Sequence, residues 1–105
     1  MDSYQYRVKI EGVGLRPPYG EVVDHVYGIG ANVDTDGDSS TPSSIDWTWL
    51  CMCQRPTRNA PVVEAILSDD RSDVMIVASE DRQLAYRAAE FLAARTGGKL
   101  INEAA

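Results

Sequence analysis

The sequence predicts an α+β fold, a mainly antiparallel sheet of four to six strands with one C-terminal helix packed on it. Three observations carry this. An alternating stretch opens the chain, an apolar hairpin pattern occupies its second half, and a well-delimited amphipathic segment lies near the end. The 105 residues are 44% hydrophobic and 25% charged, ordinary globular composition for a single domain spanning 1–105.

Tyr4, Tyr6, Val8 and Ile10 alternate with Gln5, Arg7, Lys9 and Glu11, the period of a half-buried antiparallel strand. Gly12 and Gly14 close it, and Pro17-Pro18-Tyr19-Gly20 reads as a stiff turn. Residues 21–33 admit two readings. Val22, Val23, Val26 and Tyr27 could line a short helix, but four valines and the pair Gly28 and Gly30 favour a strand bulged at the glycines. Residues 34–44 hold three Asp, four Ser, two Thr, one Gly and one Pro and are expected to form an exposed, mobile loop.

Residues 45–53 form the strongest strand pattern. Ile45, Trp47, Trp49, Cys51 and Cys53 share one face, while Leu50 and Met52 make the other apolar. Such a strand is expected to be central and covered on both sides. Gln54 to Asn59, with Arg55 and Arg58 flanking Pro56, is a polar turn. The apolar runs 62–67 and 74–78 read as a hairpin. In the final helix, residues 79–96, Ser79 is the expected N-cap, and Leu84, Ala88, Phe91 and Leu92 form the buried stripe. Gly97 stops it, and Lys99-Leu100-Ile101 adds a short last strand. A ferredoxin-like βαββαβ arrangement is the alternative, and it requires residues 21–28 to be helical.

Sixteen acidic against ten basic residues give a net charge of −6 and a pI of 4.6. This argues against nucleic acid and anionic membrane as partners and favours a basic protein. No apolar run approaches the roughly 20 residues that span a bilayer. The N-terminus has no basic and apolar leader, and Cys51 and Cys53, two residues apart on a strand, point to the same face and are badly placed to bond each other. A reduced cytoplasmic setting is therefore expected.

Four constellations could carry chemistry. Asp34-Thr35-Asp36-Gly37-Asp38 is similar to the opening of an EF-hand calcium loop, but Ser39 stands where the sharp turn needs Gly and Ile45 where a bidentate Glu belongs. A solvated acidic loop is the expectation. Glu11-Gly12-Val13-Gly14-Leu15-Arg16-Pro17 resembles the phosphate loop of acylphosphatases. That resemblance implies backbone N–H groups and the Arg16 guanidinium around an acyl phosphate. In that family the Asn of a Val-x-Asn on the second strand orients the attacking water; here the stretch reads Val33-Asp34-Thr35, without that Asn, and Asp34 repels phosphate. The lone His25 has no placed partner for acid–base work, and the two cysteines lack further zinc ligands. Trp47 and Trp49 give the sheet an aromatic face that serves as core if covered and as a binding patch if not.

The expected function is a non-enzymatic protein-binding module, inhibitor-like or immunity-like, without cofactor or metal. Its binding residues are Trp47, Trp49, Arg16, Asp34, Asp36 and Asp38, and its partner is a basic protein or a second copy of the chain. An acylphosphatase-like hydrolase using residues 12–16 is the alternative.

Overall fold

The computed structural model describes residues 5–39, 41–55 and 60–102. Tyr4 of the first stripe, and Pro56, Arg58 and Asn59 of the polar turn, lie outside them. The elements run β1 (Tyr6–Glu11), α1 (Tyr19–Tyr27), β2 (Val33–Gly37), β3 (Trp49–Gln54), β4 (Val62–Leu67), β5 (Val74–Ser79), α2 (Arg82–Thr96) and β6 (Lys99–Asn102). Six strands form one sheet in the order β2-β3-β4-β5-β1-β6, and every neighbouring pair is antiparallel.

Chain order explains most of that arrangement. β2 to β5 follow one another as a meander, each pairing with the next. β1 then adds to the free side of β5, and β6 to the free side of β1. The two helices are separated by four successive strands, where a βαββαβ chain would have two, so the ferredoxin-like order does not describe this molecule.

A helix stands where residues 21–33 were expected to form a strand. Val22 and Val26, four residues apart, are both fully buried, so helical spacing puts them on one face. Pro18 occupies the N-cap, and Tyr19 and Gly20 begin the helix where a turn was expected. Gly28 follows the last turn with φ 102°, and its N–H donates to the Asp24 carbonyl at 2.8 Å. The glycine therefore terminates the helix instead of weakening its interior.

Two further expectations change. The first four residues of the expected loop, 34–37, join Val33 in an edge strand, Val33–Gly37, because β3 supplies its backbone partners while Asp34 and Asp36 stay exposed. β3 itself begins at Trp49, not at residue 45.

The hairpin of residues 62–67 and 74–78 forms as expected, with Ile66 opposite Ile76. α2 also forms, but Asp81 caps it, its carboxylate accepting from Leu84 N at 3.1 Å. Ser79 cannot serve because it is the buried last residue of β5. The buried stripe is Ala85, Ala88, Ala89 and Leu92, with Leu84 and Phe91 packed at its margin. Gly97 takes the left-handed C-cap conformation at φ 78°.

One core unites the described residues. Val8 and Ile10, Leu50 and Met52, Val63 and Ala65, and Met75 and Val77 alternate inward from four strands to meet Val22, Val26, Ala88, Ala89 and Leu92. Both helices therefore lie on the same face of the sheet. They run antiparallel: Arg95 pairs with Glu21 at 2.5 Å, His25 stacks on Phe91 at 4.3 Å, and Arg87 bonds the Val26 carbonyl at 3.0 Å. Among the described residues no helix is long and apolar enough to cross a membrane.

Candidate functional site

The same alternation fixes what the opposite face presents. With Leu50 and Met52 turned to the helices, Trp49, Cys51 and Cys53 project the other way. So do Val62, Glu64 and Ile66 of β4, and Ile76 of β5. No described element packs on this side. Trp49, Cys51, Cys53, Val62 and Ile76 are half-buried, and Ile66 is 40% exposed. A strand apolar on both faces thus has a cover on only one of them. Val74 and Ala78 on the same face are buried, at 4% and 3% exposure.

The two tryptophans part company. Trp47 is 1% exposed, and its indole N–H donates to the Pro17 carbonyl at 2.8 Å. It is a core residue that ties the turn before α1 to the start of β3. Trp49 remains half-buried on the open face, its indole N–H donating to Glu64 Oε2 at 2.8 Å. That bond ties the indole of β3 to β4 and satisfies a carboxylate that apolar neighbours surround.

The acidic candidates gather on and beside β2 but do different things. Asp34 faces Arg55 at 3.5 Å. Asp36 accepts from the Gly37 N–H at 3.0 Å. Asp38 accepts from Thr48 N at 3.0 Å and Trp49 N at 3.2 Å, and from the Thr48 hydroxyl. Slight burial pushes the Asp38 carboxyl up, but these donors outweigh it and hold the group below its ordinary value. Asp38 is thereby a structural clasp between β2 and β3. A cleft of about 460 Å³ opens at this edge, between Tyr19, Asp36, Ser39 and Trp49. Among the described residues no group of three or more His, Cys, Asp or Glu could hold a metal ion. The EF-hand-like carboxylates therefore do not converge.

Arg16 lies apart from this face. Its Nε donates to the Trp47 carbonyl at 2.8 Å and a terminal nitrogen to the Gly14 carbonyl at 3.2 Å. The loop's backbone donors are also engaged, Val13 N with Asp73 O, Gly14 N with Thr96 O and Arg16 N with Ile45 O. These groups point into the protein, to three different segments, and do not form a shared cradle for an oxyanion.

Cys51 and Cys53 are free thiols on the open face. Burial, the Glu64 and Asp36 carboxylates and Cys53 push the Cys51 thiol up, which lowers its nucleophilicity at neutral pH. Residues that sequence reasoning did not single out complete the surface: Ile66, Ile76 and Glu64 in its middle, and Arg7, Lys9 and Lys99 along the β1–β6 side. Their alternation is visible in the sequence. That they share one face with Trp49 depends on strand order and register.

Compared with protein-family models, with curated proteins and with solved structures, the chain matches none.

Proposed function

We propose that this chain is a protein-binding module that acts by occupying a partner through the open sheet face. The observation that carries the reading is a contiguous strip of partly exposed Trp49, Ile66, Ile76, Val62, Cys51 and Cys53, on the side opposite both helices. Apolar and aromatic surface backed by a rigid sheet is the composition of interface cores, where one Trp commonly dominates the energetics. Trp49 is pre-ordered by Glu64, which reduces the entropy lost on docking. Hydrolysis at residues 12–16 draws no comparable support, because Arg16 and the loop amides are spent on backbone carbonyls.

The test is a photoreactive amino acid placed at Ile66 of the full chain, with Ala94 on the exposed side of α2 as the control position. Protein adducts identified by mass are expected from Ile66 and not from Ala94, and Ile76→Asp should abolish them. The absence of any protein adduct at Ile66 overturns the reading.

A further inference from the structure

We infer that the free edge of β2 is a second binding site, which takes up an extended, cationic segment of a partner protein as a further antiparallel strand. The site is separate from the open face and is built from different atoms.

β2 ends the sheet, and the register decides which of its backbone groups have partners. The Arg55 N–H donates to the Asn32 carbonyl at 2.8 Å, and the Asp38 N–H to the Trp49 carbonyl at 3.3 Å. Both bonds belong to the ladder in which Asp34 opposes Cys53 and Asp36 opposes Cys51. Hydrogen-bonded and non-hydrogen-bonded pairs alternate along an antiparallel ladder, so Asp34 and Asp36 turn their backbone groups to β3. Val33, Thr35 and Gly37 turn theirs outward. The Gly37 N–H is held by the Asp36 carboxylate at 3.0 Å. Among the described residues, the outward groups of Val33 and Thr35 have no hydrogen-bond partner. Such a row is a template for one more strand.

The two sides of the edge differ. Thr35 lies opposite Met52 and so shares the helix side, yet it stays exposed, because α1 packs against β3. The cleft of about 460 Å³ lined by Tyr19, Thr35 and Leu50 opens there, and a side chain placed opposite Thr35 extends over it. On the other side stand Asp34 and Asp36, both exposed. Arg55 lies beside Asp34 at 3.5 Å, and Glu64 lies two strands further in. Arg7, Lys9 and Lys99 are four or five strands away.

This charge pattern selects the occupant. Residues opposite Asp34 and Asp36 form the non-hydrogen-bonded pairs, in which facing side chains approach most closely. Pairing β2 with β2 of a second copy about Thr35 would set Asp34 against Asp36, and like charges directly opposite are destabilising. β6 of a second copy offers a single cation, Lys99. A segment with Lys or Arg at alternate positions and apolar residues between them meets the carboxylates, the unpaired backbone and the cleft together.

The test uses the isotope-labelled full chain and a blocked seven-residue peptide alternating valine and lysine, with calorimetry for affinity and nuclear magnetic resonance for the amides. A saturable complex is expected, in which solvent exchange of the Val33 and Thr35 amides slows. N-methylation of the valines, whose amides face β2, should abolish binding. N-methylation of the lysines, whose amides face solvent, should leave most of it. Thr35→Pro removes an outward N–H and no bond of the β2–β3 ladder, so affinity should fall about tenfold. Asp34→Asn with Asp36→Asn, which keeps an acceptor for the Gly37 N–H, should weaken binding about fivefold. No saturable binding at millimolar peptide overturns the inference, as does equal or reversed sensitivity to the two methylations. Thr35 protection that rises with concentration of the chain alone identifies a second copy as the occupant and also overturns it. If Thr35→Pro fails to fold, the methylated peptides decide the matter on the unaltered chain. The two readings fail separately, because adducts from Ile66 report on the open face and the Thr35 amide reports on the edge.

Discussion

The Arg87 guanidinium donates to the carbonyl of Val26 at 3.0 Å, so a side chain in the middle of α2 completes the C-terminal turn of α1. The last carbonyls of a helix lack intrahelical donors, and they carry the negative end of its dipole. A cation fixed there serves both needs. Arg87→Ala is expected to lower stability by about 1–2 kcal/mol, measured by urea unfolding. Arg87→Lys should recover only part of this, because a point charge reproduces the field but not the directed bond.

The two tryptophans should be separable by substitution. Trp47→Phe removes the donor to the Pro17 carbonyl and opens space in the core, an expected cost of about 2–3 kcal/mol. Trp49→Phe should cost less than about 1 kcal/mol and should weaken association instead. Acrylamide quenching checks the assignment: the chain retaining only Trp49 should be quenched more readily than the chain retaining only Trp47.

Gly37 is required by the close approach of β3. A Cβ there would fall within 2.5 Å of the Trp49 carbonyl oxygen, and that atom belongs to the backbone and cannot swing away. Gly37→Ala is expected to cost about 2 kcal/mol or more. Hydrogen exchange should show lost protection confined to the β2–β3 end of the sheet.

Asp38 predicts the acid limb of the stability curve. Its folded value lies below the ordinary one. Its contribution is therefore complete above the ordinary carboxylate range and fades as pH falls through the folded value. Asp38→Asn should lower stability at neutral pH and flatten the profile below it, with exposure of the site keeping the effect small.

Tyr27 predicts the alkaline limb. Burial, with the nearby Cys53, Cys51 and Asp81 charges, pushes its phenol up to about 12 from 10.0. The folded state holds the proton longer than the unfolded chain. Stability is thus unaffected below the ordinary value and declines as pH rises towards 12. The hydroxyl is buried without a hydrogen-bond partner, so Tyr27→Phe should leave neutral-pH stability equal or higher and remove this decline. Phenolate absorbance on alkaline titration, followed with far-ultraviolet dichroism, measures both.

Elements whose pattern is local were legible from the residues themselves. Alternation in β1, two apolar runs around a polar turn in β4 and β5, and an apolar stripe closed by Gly97 in α2 each carry their own signal. α1 was hidden because Gly28, which stops it, reads in one dimension as an interruption, and because Val22 and Val26 favour strands until α2 supplies a surface for their shared face. β2 was hidden because its carboxylates look like loop, and only the pairing offered by β3 makes them an edge strand. For the candidate site, the sequence determined the residue types: two tryptophans, an acidic cluster, and Arg7, Lys9 and Lys99. Tertiary structure decided which of them meet. Inserting β1 between β5 and β6 carries its cations to the side of the sheet opposite β2, and placing both helices on one face buries Trp47 while leaving Trp49 uncovered by any described element. Those outcomes depend on contacts between segments far apart in the chain, and no window of sequence contains them.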